Sequence, residues 1–266
     1  MRQIILHGGV GSSPDLNDLL NKYASMAINY EDPLDAVVAA VKYMEDDVNF
    51  NAGTGSVMRL DGSIQMDASV MVEGNFGAVI NIEKVKNPVQ VAREVMEKSP
   101  HVILCGDGAT RFARKMGHPI YDPVTDKAKT KLIEARKVAS EDPRYLFEGE
   151  NVDTVGAVAN FNGRIAAALS TGGSNSPMMR GRVGDTPIPG SGIFVMNGFG
   201  IAATGRGEEI IRRTLSFHMY VNRENLEEEW ERIAGKSPYP LGAVGFNGER
   251  HFVLSNRPMA IGYSKR

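Results

Sequence analysis

Three Asn-Gly pairs, each set between two short apolar runs, constrain the C-terminal half of this 266-residue chain more than any other feature. Asn162-Gly163 joins Thr154–Asn160 to Arg164–Ser170, Asn197-Gly198 joins Ile193–Met196 to Phe199–Ala203, and Asn247-Gly248 joins Leu241–Phe246 to His251–Ser255. Two-residue turns with positive φ favour Asn and Gly and match the twist of paired strands, so each pair predicts an antiparallel hairpin. Val155–Ala159 and Ile165–Leu169 are apolar on both faces and need cover on both sides. Amphipathic helices can supply it. Leu16, Leu19, Leu20, Tyr23 and Ala27 form one stripe after Ser13-Pro14, and Leu34, Val37, Val38, Val41 and Met44 form another after Asp32-Pro33. Val91, Ala92, Val95 and Met96 follow Asn87-Pro88, and helices are predicted from Glu208 to Val221 and from Asn225 to Ile233. Hairpins and helices in separate blocks predict the α+β class. A four-layer αββα sandwich, two sheets face to face with helices outside, satisfies the burial.

The N-terminal half adds a strand, Arg2–Leu6, running into His7-Gly8-Gly9-Val10-Gly11. Such a turn can present N–H groups to an anion, but it lacks the Gly-Lys-Ser/Thr ending of a P-loop, and no dinucleotide pattern is complete. Asp61-Gly62 between Val57–Leu60 and Ser63–Met66 predicts a further hairpin, and Phe76–Ile82 and Val102–Cys105 read as strands. Glu45-Asp46-Asp47 is either a solvated helix end or, with backbone carbonyls, a seat for a hard cation. Residues 117–153 are charged and weakly periodic, a connector with a surface helix from about Thr125 to Ser140.

A net charge of -2, from 30 basic and 32 acidic residues, gives no reason to expect a nucleic-acid partner. The single Cys105 excludes an internal disulfide and a Cys-cluster metal site; its apolar neighbours Val102-Ile103-Leu104 suggest a buried small residue. No apolar run approaches the ~20 residues that span a membrane, and the short lead into Ile4-Ile5-Leu6 leaves no room for a signal peptide, so a cytoplasmic location is expected.

Thr154 stands behind Asp153 at the start of a strand of small residues. A threonine at a free N-terminus can be a nucleophile without a histidine, because its own α-amine, with a pKa of roughly 7.7–8.0, serves as the base. Its methyl group restricts χ1 and aims the hydroxyl. Cleavage after Asp153 would free that amine: the Thr154 hydroxyl attacks the upstream peptide bond and water opens the ester. For an isolated Asp-Thr a plain strand start is the ordinary reading.

Other motifs occur with it in order. They are His7-Gly8-Gly9, Asn51-Ala52-Gly53-x-Gly55, Asp67-Ala68-Ser69-Val70-Met71, Asn87-Pro88, Thr154-Val155-Gly156-Ala157-Val158-Ala159, Ser170-Thr171-Gly172-Gly173, Gly181-Arg182-Val183-Gly184-Asp185-Thr186-Pro187 and Thr204-Gly205-x-Gly207-Glu208. Each is weak alone; the ordered set closely resembles the plant-type L-asparaginase/isoaspartyl peptidase family of N-terminal nucleophile (Ntn) hydrolases. The resemblance implies the αββα fold over residues 1–266, self-cleavage into an α subunit (1–153, with connector 120–153) and a β subunit (154–266), and an (αβ)2 dimer. It implies hydrolysis of L-asparagine and β-aspartyl dipeptides, with no cofactor in catalysis and no nucleic-acid or membrane partner. Thr154 would be the nucleophile, with Asp153 and Thr154 flanking the cleaved bond and Thr171 and Asn51 beside it. Arg182 would hold the substrate's α-carboxylate, Asp185 its α-ammonium, with Gly207 nearby; Thr204 and Gly205 would form the oxyanion hole. Backbone carbonyls of Met44, Glu45, Asp47, Phe50, Ala52 and Thr54 would surround a structural sodium ion.

Simpler roles stay open: Arg182 and Asp185 as an ion pair, Thr171 and Thr204 as strand-end caps, and His7 as a residue that fixes its turn. Two positions depart from the pattern. Asp153 stands where asparaginase-like members usually have Gly, which resembles the glycosylasparaginase and threonine aspartase relatives, and Arg206 stands where a small residue is common. The alternatives are therefore a glycosylasparaginase-like or protein-cleaving relative, or a non-processing homologue that binds a small amino acid.

Overall fold

The computed structural model describes residues 1–141, 154–174 and 178–266. Two hydrogen-bonded sheets carry the chain. The larger contains β1 (Arg2–Val10), β2 (Met66–Val72), β3 (Asn75–Ile82), β4 (Ile103–Cys105), β5 (Val155–Phe161), β6 (Arg164–Thr171) and β11 (Met259–Lys265), in the order β11-β1-β5-β6-β2-β3-β4. The smaller contains β7 (Ile193–Met196), β8 (Phe199–Gly205), β9 (Leu241–Asn247) and β10 (Arg250–Ser255), in the order β10-β9-β8-β7. All three Asn-Gly hairpins form. At the first two, both turn residues have positive φ: Asn162 53° and Gly163 88°, Asn197 48° and Gly198 74°. At the third, Asn247 pairs with Arg250, so the loop is Gly248-Glu249 and Gly248 alone takes positive φ.

Helices α1 (Asn17–Ala27), α2 (Pro33–Glu45) and α3 (Pro88–Lys98) lie on one face of the larger sheet, α2 across β5 and β6. Asp32 caps α2 through the Leu34 N–H at 2.8 Å. Ile4 and Leu6 turn to these helices and Ile5 to the opposite face, as strand alternation requires. On that opposite face β5 packs against β8 and β9, and β6 against β7 and β8. Helices α4 (Gly106–Lys115) and α5 (Asp126–Glu141) follow in the first half, and α6 (Gly207–Arg213), α7 (Leu215–Val221) and α8 (Leu226–Ala234) in the second. Leu215, Met219, Trp230 and Ile233 join the apolar cluster of the smaller sheet. The double-sided apolar strands β5 and β6 are thus covered twice.

Four expectations are corrected. The strand expected over Arg2–Leu6, with a turn from His7, runs on to Val10 and carries a bulge between His7 and Val10 in its pairing with β11. Asp61-Gly62 turns the chain, with the Arg59 N–H donating to the Ser63 carbonyl at 2.7 Å, but its flanks build no ladder and β2 begins only at Met66. The Arg59 guanidinium donates to the Gln65 carbonyl at 3.2 Å, and the Leu60 N–H donates to the Met178 carbonyl at 2.9 Å instead of to the second flank. The single helix expected from Glu208 to Val221 is two helices, broken at Thr214 with φ 44°. Cys105 is exposed, because β4 is an edge strand. Beyond these, β11 has no counterpart in the sequence reading: its outer residues are only half-buried, so no clean alternation marks it, yet it pairs along β1.

Candidate active site

Register builds the centre of the site. Val155 lies opposite Ser170, so Thr154, one step earlier, lies opposite Thr171, and Thr171 lies opposite Asp67 on β2. Residues paired across a ladder share a face. Here it is the face of Val158, Ala167 and Leu169, directed at the smaller sheet. Thr154, Thr171 and Asp67 therefore form a buried polar row across three strands. The Thr171 hydroxyl accepts from the Gly173 N–H at 3.1 Å, which turns the chain at the end of β6. Asn51 fastens that turn to the first half of the molecule. Its side-chain amide donates to the Gly173 carbonyl, its Oδ1 accepts from the Val57 N–H at 3.1 Å, and its own carbonyl accepts from the Gly172 N–H at 2.9 Å.

His7 lies across the ladder from Gly156, and its ring fills the space a side chain there would need. Nδ1 accepts from the Gly9 N–H at 3.3 Å. Nε2 faces the Thr154 backbone without a partner of ordinary hydrogen-bond geometry. Complete burial pushes its pKa down to about 3, and the Thr154 backbone only partly opposes this. His7 is thus a neutral ring that holds the bulge of β1 at Gly8-Gly9 and backs the Thr154 strand. Thr204 is the penultimate residue of β8, and its hydroxyl accepts from the Val10 N–H at 3.2 Å; Gly205 ends the strand with φ 142°. The ends of β1, β5, β6 and β8 carrying Val10, Thr154, Thr171 and Thr204 thus meet where the two sheets face each other.

The Arg182–Thr186 loop is anchored beside this row, since Ser69 on β2 donates to the Thr186 carbonyl at 2.5 Å. Arg182 and Asp185 are not a direct ion pair. Arg182 makes a forked pair with Glu208, Nε to Oε1 and Nη2 to Oε2, both at 3.0 Å. Asp185 is buried with Oδ2 unpartnered among the described residues. Burial raises its pKa to about 7, with Arg182 opposing and Glu208 and Asp67 adding to the rise. A Cβ at Gly207 would lie 2.8 Å from Arg182 Nη2 and 3.0 Å from Asp185 Oδ1, so the two side chains flank that glycine. Arg206 Nε approaches Glu208 Oε2 at 3.6 Å, and its guanidinium lies 5.2 Å over the Tyr239 ring.

Three residues here escaped selection from the sequence. Asp67 and Glu208 stood only inside motifs, and register or pairing singles them out. Arg59 carried no signal: its guanidinium is buried, donating to the Gln65 and Arg182 carbonyls at 3.2 and 3.3 Å. Asp153 lies outside the described residues.

The acidic run after α2 differs from a solvated end. Glu45 is fully buried, accepting from the Val89 N–H at 3.0 Å at the start of α3; burial pushes its pKa up to about 8. Asp46 pairs with Lys86 at 3.1 Å, and Asp47 accepts from Tyr23 at 2.8 Å. The carboxylates are thus committed elsewhere, and any cation at this loop would rely on backbone carbonyls. Those of Asp47 and Ala52 each already accept one N–H and keep a second lone pair, whereas that of Met44 is approached by the N–H groups of both Asp46 and Asp47. Among the described residues no group of three or more His, Cys, Asp or Glu is placed to hold a metal, and no helix is long and apolar enough to cross a membrane.

Comparison with known proteins gives a consistent picture. A family profile described as asparaginase matches residues 4–237. A plant-type L-asparaginase from Pyrococcus furiosus is 40% identical over 255 residues, covering 87% of this chain and 83% of its own. An isoaspartyl peptidase/L-asparaginase from Macaca fascicularis is 45% identical over 190 residues, covering 69% of this chain and 61% of its own. An N(4)-(beta-N-acetylglucosaminyl)-L-asparaginase from Elizabethkingia miricola is 42% identical over 196 residues, covering 72% and 56%.

Proposed function

The chain belongs to the asparaginase family, and from that premise we propose that it is an amidohydrolase acting on L-asparagine and on β-aspartyl (isoaspartyl) peptides, with Thr154 as nucleophile. The observation that carries this reading is the buried row of Thr154, Thr171 and Asp67 with Arg182 and Asp185 beside it. In this reading the packing of helices on two facing sheets is the four-layer αββα sandwich of Ntn hydrolases. Cleavage after Asp153 yields subunits 1–153 and 154–266, which assemble as (αβ)2.

The freed amine of Thr154 takes the hydroxyl proton as the oxygen attacks the side-chain amide carbon. It then returns a proton to the departing ammonia or amine, and water opens the acyl-enzyme ester. Thr171 hydrogen-bonds near the nucleophile and Asn51 fixes the turn behind it. Thr204 and the Gly205 N–H receive the developing oxyanion. The Arg182 guanidinium matches the substrate's α-carboxylate, and Asp185, ionised on binding, takes the α-ammonium at the Gly207 backbone. Carbonyls of Met44, Glu45, Asp47, Phe50, Ala52 and Thr54 would hold a sodium ion with a structural role only. The buried neutral His7 takes no proton-transfer role.

The Elizabethkingia relative's activity supplies the second reading, a preference for glycosylated asparagine. Purified, self-cleaved protein assayed on L-asparagine, a β-aspartyl dipeptide and N-acetylglucosaminyl-asparagine decides between them. Release of aspartate from the first two is expected. Turnover of the glycosylated substrate alone would overturn the primary reading.

A further inference from the structure

An arginine offers a carboxylate two edges, the side formed by Nε and Nη2 and the end formed by Nη1 and Nη2. In this site the two edges have different fates. Glu208 occupies the side edge of Arg182 with two bonds of 3.0 Å. Nη1 has no partner among the described residues. The guanidinium sits between two glycines: a Cβ at Gly184 would lie 2.7 Å from Nη1, and one at Gly207 2.8 Å from Nη2. Arg182 is therefore held in a slot with its end edge left for a ligand.

We propose that Glu208 is a positioning residue that clamps the Nε–Nη2 edge of Arg182 and so presents the Nη1 corner to the carboxylate of an α-amino acid substrate. This rests on the reading of Arg182 as the carboxylate-binding residue. Burial favours the protonated acid at Glu208, but Arg182, and more weakly Arg206, outweigh it and keep Glu208 below the ordinary carboxylate range. Arg206 is the outer anchor of the same carboxylate oxygen. The rival arrangement, in which Glu208 competes for the substrate's place, requires the ligand to displace it. The clamp requires no displacement, because ligand and Glu208 use different edges.

The test is steady-state kinetics on L-asparagine with self-cleaved wild type, E208Q, R206M and R182A, with KM and kcat separated and the cleaved fraction measured on a denaturing gel. In E208Q an amide –NH2 meets the guanidinium in place of one carboxylate oxygen. The clamp predicts that KM rises roughly tenfold or more while kcat falls by less than about threefold. R206M shifts KM in the same direction by less. Asp185, which faces Arg182 and Glu208 and is raised to about 7, loses its charge first on acidification and should raise KM in wild type and E208Q alike. A further rise of wild-type KM below the ordinary carboxylate range, absent from E208Q, reports protonation of Glu208, a signature a purely structural role would not give. A lower KM in E208Q would establish competition and overturn the clamp, and so would an unchanged KM alongside a raised KM in R182A. An unchanged KM in R182A itself would instead remove the carboxylate-binding role of Arg182.

Discussion

At the residue scale, a buried neutral histidine packs tightly against the strand that carries Thr154. A Cβ at Gly156 would lie 2.2 Å from His7 Nε2 and 2.6 Å from Leu169 Cδ2. The imidazole is fully buried and neutral, and it is held by the Gly9 N–H, so it has little freedom to retreat. Gly156→Ala is expected to cost about 1–3 kcal/mol of stability by overpacking, read as a lower urea midpoint. The same change shifts the strand that begins at Thr154, so activity should fall with it. A midpoint equal to wild type would mean that the ring gives way. At this scale the sequence was informative wherever one motif carried one role: Asn51, Thr171 and Thr204 all stand at strand or turn ends in the same region. It was silent on Asp67 and Glu208, because their place depends on register and on a partner more than twenty residues away.

Between elements, two junctions depart from what local pattern predicts. Thr214 takes φ 44° between α6 and α7, a conformation disfavoured for a β-branched residue. Apolar spacing runs on through Leu215 and Met219, which is why one continuous helix was expected. Glycine there relieves the left-handed strain but adds backbone entropy to the unfolded chain. Thr214→Gly should give a net gain of about 0.5–1 kcal/mol in chemical denaturation, and a loss would contradict the strain argument.

The second junction is Glu45, joining the end of α2 to the first turn of α3. Burial raises its pKa from 4.5 to about 8, with Asp46 adding to the rise, so the folded chain holds this proton more tightly than the unfolded chain. Its contribution to stability is complete below the ordinary value of 4.5 and is lost as pH rises toward 8. The melting temperature of Glu45→Gln should therefore fall less between pH 5 and pH 9 than that of wild type. Equal losses would place the alkaline sensitivity elsewhere. The hairpins, by contrast, were legible because turn chemistry and strand pattern agree. The flanks of the Asp61-Gly62 turn bond elsewhere, the Leu60 N–H to the Met178 carbonyl and the Arg59 guanidinium to that of Gln65, which no turn motif reports.

For the whole molecule, the two-sided burial of β5 and β6 ties fold to chemistry. The ordered motifs made the family legible from the sequence, and those around Asn51, Thr154, Thr171 and Thr204 mark strand ends or turns that meet where the two sheets face each other. Fewer of the contacts between these loops were legible, because they join residues such as Asn51 and Gly173, or Val10 and Thr204, across more than a hundred positions. The proposed maturation, a nucleophile made by the chain's own cleavage, involves the whole molecule. The direct measurement is intact mass with N-terminal mapping of wild type and Thr154→Ala after prolonged incubation, with ammonia release from L-asparagine followed in parallel. Two wild-type fragments beginning at Met1 and Thr154 are expected, with ammonia release that grows as they accumulate. Thr154→Ala should stay a single uncut, inactive species. Ammonia release from the uncut variant at the wild-type rate, or a wild-type enzyme that turns over asparagine while remaining one 28.9 kDa chain, would contradict this maturation.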